Sequence, residues 1–198
     1  MALLTGWASF LVTAATIACV YGLLAVGLNV HYGYTGLLNF GHVAFFAAGA
    51  YTSAILTMPP PEAAPTGNYA FGFDLMMPLG FPVSLTLAAL VGGLLALLIG
   101  LTSVRLGSHY LAIATFALAG IFEDVLINEE WLTNGTFGMN SVPKPMRETL
   151  GTDLWQISYL VFSLFLLTFV YLLVQRLIDA PFGRLLRGVR ESEDAAQM

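Results

Sequence analysis

Long runs of apolar residues are the feature that most constrains how this chain can fold. Of its 198 residues, 58% are hydrophobic and 10% are charged, whereas soluble domains carry about 25% charged residues. A helix needs about 20 apolar residues to cross a bilayer, and five stretches of the sequence approach or exceed that length. We therefore predict an all-α polytopic membrane protein that forms a single transmembrane domain over residues 1–198. The predicted spans are residues 7–30, 40–58, 79–104, 109–127 and 155–174.

Basic residues predict the orientation of these spans. Four of the seven Lys and Arg residues lie between residues 176 and 190, and basic residues beside membrane spans stay on the cytoplasmic side. This places the C-terminus inside and, after five crossings, the N-terminus outside. Arg105 then falls inside, and the loops at 58–78 and 128–154 fall outside.

Small residues recur every four positions in three of the predicted spans. Such spacing puts them on one helix face, where a second helix can approach closely. The three series are Ala14, Ala18 and Gly22; Ala44, Ala48 and Thr52; and Ala88, Gly92, Ala96 and Gly100.

Polar residues within apolar sequence are the candidates for function. The stretch His31 to His42, HYGYTGLLNFGH, predicts either a tight turn or a broken helix, because non-helical backbone at membrane depth needs cover from protein or a water-filled cavity. Within it Asn39 and His42 are functional candidates, as is Glu123 near the outer end of the fourth span. The alternative is structural: Asn39 and His42 form hydrogen bonds between helices, and Glu123 is hydrated at the membrane interface.

The segment 180–198, APFGRLLRGVRESEDAAQM, concentrates charge beside the last span. We expect Pro181 and Gly183 to end the preceding helix, and Ser192, followed by Glu193, to cap the N-terminus of a new cytoplasmic one. The alternative for this segment is a solvated tail.

The sequence lacks the residues that several classes of chemistry require. Cys19 is the single cysteine, and the three histidines are not spaced as a metal-binding pair. No GxxxxGK[ST], HExxH or GxSxG pattern occurs, so we expect no catalytic residues, no metal and no cofactor, and any nucleotide hydrolysis belongs to another polypeptide. No basic face suited to nucleic acid is present. A secondary carrier acting alone would be expected to show paired broken helices and charges within its spans, whereas this chain has one candidate break.

Three blocks of the sequence resemble the inner-membrane permeases of branched-chain amino acid ABC importers, the LivM type. They are Tyr21 to Leu56, Tyr110 to Pro145, and APFGRLLRGVRESEDAAQ at the end. The resemblance implies a permease subunit, not an enzyme, in a bacterial inner membrane, which translocates branched-chain or other neutral amino acids. Urea, amides or other small organic solutes are the alternative substrates, and a stand-alone carrier is the more distant alternative. The implied partners are membrane lipid, a homologous permease subunit in a heterodimer, cytoplasmic ATPase subunits and an external solute-binding protein.

The resemblance also implies roles for individual residues. The last block corresponds to the cytoplasmic segment that docks into the ATPase. Its candidate coupling residues are Arg184, Arg187, Arg190, Glu191, Glu193, Ala195 and Ala196. Asn39, His42 and Glu123 are the candidates for the translocation pathway. The family pattern continues through further spans, so we expect this chain to be a fragment or a truncated product.

Overall fold

The computed structural model describes residues 6–60, 72–75, 80–103, 106, 108–139, 142–144 and 146–191. Within these residues the regular structure is helical, and no strand is present. The helices are α1 (Gly6–Asn29), α2 (His42–Thr57), α3 (Gly80–Ser103), α4 (Ser108–Asn128), α5 (Glu130–Thr133), α6 (Arg147–Asp179) and α7 (Pro181–Glu191). A π-helical turn, Val30–Thr35, extends α1, and a 3-10 turn, Gly135–Phe137, follows α5.

Four helical segments of the described chain are long and apolar enough to cross a membrane. They are Gly6–Thr35, Gly80–Leu101, Tyr110–Asn128 and Thr149–Asp179. The shorter helix α2 has 16 residues and is apolar throughout. The prediction of an all-α polytopic membrane protein is therefore confirmed.

One compact unit contains α1, α6 and α7, and within it α1 and α6 run parallel. Near the start of both helices, Ser9 Oγ donates a hydrogen bond to Gln156 Oε1 at 2.8 Å. Further along, a Cβ on Gly22 would lie 3.3 Å from Leu167. At the far end, Arg190 in α7 reaches the backbone of Gly33. The contacts advance in the same direction along both helices, which defines a parallel pair.

The other unit contains α2 to α5, and here α2 and α3 run antiparallel. A Cβ on Gly92 would lie 3.2 Å from the carbonyl oxygen of Phe45, and a Cβ on Gly49 would lie 3.4 Å from that of Ala88. One step further, Ser53 Oγ lies 3.4 Å from Ser84 Oγ, and Ser84 is fully buried. A step of four residues forward along α2 therefore corresponds to a step of four residues backward along α3. The small residues at these contacts keep the two backbones close.

The parallel pair fixes how often the chain crosses the membrane between α1 and α6. If both helices span, α1 ends on the side opposite to the one where α6 begins, which requires an odd number of crossings between them. Because α3 and α4 supply two, α2 must supply the third. Its 16 residues cover about 24 Å, somewhat less than the roughly 30 Å hydrocarbon core. We infer that α2, packed along the spanning helix α3, is the fifth span.

Two expectations about helix boundaries were wrong. Residues 128–154 are not simply a polar loop: they contain α5, the 3-10 turn and the start of α6, with a break in helical geometry at Gly151. Helix α6 ends at Asp179, just before Pro181, as expected, but the next helix begins at Pro181 itself and not at Ser192. Proline suits the first helical position, where its missing N–H costs nothing. The break lies at Ala180, and Gly183 is buried within α7. The cap predicted at Ser192 lies outside the described residues.

The small-residue series contribute unequally to packing. In α2, Ala44 and Ala48 are buried, and in α3 Ala88 is buried. By contrast Ala14 and Ala18 are exposed in this chain, and no atom lies within 4 Å of a Cβ built on Gly100. The spacing of small residues therefore identified packing faces on α2 and α3, although not that these two helices pair, while in α1 Gly22 lies against α6.

The neighbouring glycines Gly92 and Gly93 provide a matched test of the α2–α3 contact. Gly92→Leu places a side chain against the Phe45 carbonyl, and we expect a loss of about 1–3 kcal/mol of stability from overpacking. A Cβ on Gly93 has no atom of another helix within 4 Å, so Gly93→Leu should retain wild-type behaviour. The measurement is the thermal unfolding midpoint and the yield of detergent-solubilised protein. Equal loss in both variants would contradict this packing.

Candidate functional site

A non-helical segment, residues 36–41, separates α1 and its π-helical turn from α2; we call it the 36–41 break. Gly36 adopts a left-handed conformation with φ 72°, which costs glycine little and most other residues more. Its N–H donates to the Tyr32 carbonyl at 3.1 Å and closes the preceding turn. Gly41 ends the break, and its carbonyl accepts from Ala44 N at 3.0 Å. The HYGYTGLLNFGH stretch is thus a broken helix.

Asn39 carries the most unusual polar atom of the break. Its Oδ1 atom is buried and has no hydrogen-bond partner among the residues that the structure describes. A buried acceptor without a partner costs about 1–3 kcal/mol, so such an atom needs an explanation. An acceptor in this position is suited to binding a donor from a ligand.

Thr115 holds the end of the break in place. Its hydroxyl accepts a hydrogen bond from Phe40 N at 3.2 Å and donates to the Leu111 carbonyl at 2.8 Å. The side chain is 1% exposed, and the neighbouring Phe116 ring meets Phe40 edge-on with centroids 6.2 Å apart. Sequence reasoning missed Thr115. The signal was a single hydroxyl within the apolar run LAIATFALAG.

The other two pathway candidates lie at different levels of the α2–α5 unit. His42 is the first residue of α2 and is half-buried beside the break. Glu123 is exposed on α4 and lies eight residues beyond Thr115, which is about 12 Å along a helix axis. The structure therefore does not bring Glu123 to the Phe40–Thr115 contact that adjoins His42. Their roles in translocation stay predictions.

Helix α7 is strongly amphipathic. Its apolar residues, Phe182, Leu185, Leu186 and Val189, share one face. Arg184 and Arg187 lie on the opposite face, and Arg190 lies at its edge. Arg187 and Arg190 bind backbone carbonyls of this chain. Arg187 Nη2 donates to Ile178 O at 3.4 Å, and Arg190 Nη1 donates to Gly33 O at 2.8 Å. Arg184 is exposed and makes no polar contact within the described residues.

The remaining coupling candidates are placed only in part. Glu191 is exposed at the end of α7. Glu193, Ala195 and Ala196 lie outside the described residues. No group of three or more His, Cys, Asp or Glu side chains that could hold a metal occurs in the described part of the chain.

These features define a polytopic helical membrane protein with a broken helix after its first span and a basic amphipathic helix after its last. Comparison with known proteins assigns it more closely. The chain belongs to the family described as branched-chain amino acid transport system / permease component, which matches residues 10–198.

The similar curated proteins carry the same description. The LivM permease protein of the high-affinity branched-chain amino acid transport system of Salmonella typhimurium is 32% identical, over 94% of this chain and 45% of the relative. The Escherichia coli protein of that name is 31% identical with the same coverage. A probable LivM permease of Methanocaldococcus jannaschii is 25% identical, over 90% of this chain and 56% of the relative. No solved structure matches the chain.

The unpaired Asn39 oxygen predicts a contrast between two variants. Asn39→Leu removes an unsatisfied buried acceptor, so we expect unchanged or higher thermal stability. Thr115→Val removes a hydroxyl that makes two hydrogen bonds and should cost roughly 1 kcal/mol or more. Unfolding midpoints in detergent compare the two. If Asn39→Leu destabilises as much as Thr115→Val, the Asn39 side chain has a structural partner in the folded protein.

Proposed function

We propose that this chain is a permease subunit of an ATP-binding-cassette importer that translocates branched-chain amino acids across the bacterial inner membrane. The observation that carries the proposal is the family match over residues 10–198. The relatives in two of the three organisms are named as permeases of high-affinity branched-chain amino acid transport. The polytopic helical fold provides the membrane spans that such a subunit needs.

The proposal includes partners. The chain spans about half the length of the curated relatives it matches, 45% to 56%. We propose that it works with a homologous permease subunit, with cytoplasmic ATPases and with an external solute-binding protein. No GxxxxGK[ST] pattern occurs in these 198 residues, so they do not supply the phosphate-binding loop of an ATPase.

The distribution of basic residues supports one orientation. With α1 and α6 parallel and three crossings between them, five of the seven Lys and Arg residues fall on the side where α6 ends. Lys144 and Arg147 fall on the other side. Since basic residues accumulate on the cytoplasmic side, α7 lies inside the cell and the N-terminus of α1 faces outside.

The 36–41 break suits the polar end of an amino acid. The Asn39 Oδ1 atom offers a hydrogen-bond acceptor to an ammonium group. Helix α2 begins just after the break, and the first N–H groups of a helix carry partial positive charge that favours a carboxylate. The two ends of a zwitterion thus find complementary groups near the break, with Asn39 and His42 as pathway residues. Glu123 would contribute nearer the outer end of α4.

Coupling to ATP uses the segment 180–198. In our proposal the ATPase docks on this segment. The small side chains of Ala195 and Ala196 let the segment enter a groove of the ATPase, and Glu193 pairs with a basic group in that groove. Closure of the ATPases displaces the segment and shifts the helices between outward-open and inward-open states.

ATP-driven uptake in proteoliposomes tests the proposal. The permease, its native partner subunits and the external binding protein are reconstituted together, and uptake of labelled leucine is measured with and without ATP. We expect ATP-dependent uptake that excess isoleucine and valine suppress. Ala196→Trp should abolish uptake and leave membrane insertion unchanged, because the bulky side chain lies outside the spans and obstructs only the partner surface.

Ala196→Ser is the matched control, since it keeps a small side chain and should transport normally. Full uptake by Ala196→Trp together with normal ATPase co-purification would refute the coupling assignment. Suppression of uptake by urea or amides instead of by isoleucine would overturn the substrate.

A further inference from the structure

Arg190 connects α7 to the turn that precedes the 36–41 break. Its Nη1 donates to the Gly33 carbonyl at 2.8 Å. Its Cγ lies 3.3 Å from the position that a Cβ on Gly36 would occupy. The side chain therefore lies across the last turn of the helix, from Gly33 to Gly36.

The Gly33 carbonyl suits a guanidinium for two reasons. Carbonyls in the last turn of a helix lack intrahelical partners. Leu37 N, which would donate to the Gly33 carbonyl if the α-helix continued, donates instead to the Thr35 hydroxyl at 3.4 Å. A helix C-terminus also carries partial negative charge, which favours a cation. Arg190 therefore caps the C-terminal end of the α1 helix from a residue 157 positions later in the chain.

The rest of α7 is fixed to the end of α6. A Cβ on Gly183 would collide with the Ile178 carbonyl, so α7 lies directly against the last turn of that helix. Arg187 reaches the same carbonyl at 3.4 Å. Helix α7 thus contacts the C-terminal ends of α6 and of α1 at once, and Arg190 makes the contact to α1.

We propose that Arg190 is a positioning residue that transmits the movement of α7 to the 36–41 break. This inference rests on the proposed function, because it requires that an ATPase moves the segment 180–198. Arg190 stands one residue before the end of α7, next to that segment, and its acceptor stands three residues before Gly36. Displacement of α7 pulls on the π-helical turn, and the turn leads directly into the break that contains Asn39. Single π-helical turns occur frequently at functional sites.

The test compares Arg190→Ala and Arg190→Lys with Arg176→Ala as the control, because Arg176 is an exposed cation near the end of α6 and is not among the coupling candidates. All are prepared with Cys19→Ser and a reporter, Leu38→Cys, because Leu38 lies in the break and is 37% exposed. Three quantities are measured on the reconstituted complex: co-purification of the ATPase, leucine uptake, and the rate of thiol labelling at the reporter with and without ATP trapped by vanadate.

In the reference protein the trapped state should change the labelling rate. Arg190→Ala should keep ATPase co-purification, lower uptake by roughly fivefold or more, as coupling energies of this kind do, and lose the ATP-dependent change in labelling. Arg190→Lys should restore part of that change, since a lysine retains one cationic donor. Arg176→Ala should behave as the reference protein in all three measurements.

The outcomes distinguish failure of this inference from failure of the proposed function. If Arg190→Ala retains both uptake and the ATP-dependent labelling change, this inference is overturned and the proposed function stands. If ATPase co-purification is lost with Arg190→Ala and kept with Arg176→Ala, Arg190 acts as a docking charge and the positioning role is overturned. If the reference complex shows no ATP-driven uptake, the proposed function fails, and this inference fails with it.

Discussion

Every backbone polar group at membrane depth must find a partner within the protein, because hydrocarbon offers none. Helices satisfy this requirement alone, but the 36–41 break does not. Its groups are satisfied from elsewhere: Arg190 binds the Gly33 carbonyl just before it, and the Thr115 hydroxyl accepts from Phe40 N at its end. The irregular segment is thus supported at both ends, and among the described residues the buried Asn39 Oδ1 remains without a partner.

The two units contain different kinds of helix pairing. In the α1–α6 pair, larger side chains such as Leu167 pack against Gly22, and the helices are parallel. In the α2–α3 pair, small residues bring the backbones close enough for Gly92 to approach the Phe45 carbonyl, and the helices are antiparallel. The parallel pair explains why a helix of only 16 residues must cross the membrane. It also places α7 beside the end of α1, where Arg190 can reach it.

The sequence predicted the apolar helices well, because apolar length is a direct physical requirement of the bilayer. It also predicted that Ala44, Ala48, Ala88 and Gly92 face a neighbouring helix, because small residues at four-residue spacing let helices approach closely. It did not predict that α2 and α3 are each other's partners. It failed at α7, since Pro181 suits a helix start as well as a helix end. The partners of Arg190 and Thr115 were beyond sequence reasoning, because both bonds join residues that are far apart in the chain. Uniformly apolar helices likewise give no pattern that selects a parallel partner.

The central claim is that α2 crosses the membrane, as the parallel arrangement of α1 and α6 requires. Thiol accessibility in intact cells tests it most directly, with single reporters at Leu38→Cys before α2, Pro60→Cys after it and Leu106→Cys after α3, each combined with Cys19→Ser. The account predicts that the Pro60 reporter reacts from outside, while the Leu38 and Leu106 reporters react only after permeabilisation. Reaction of the Leu38 and Pro60 reporters from the same side would contradict it.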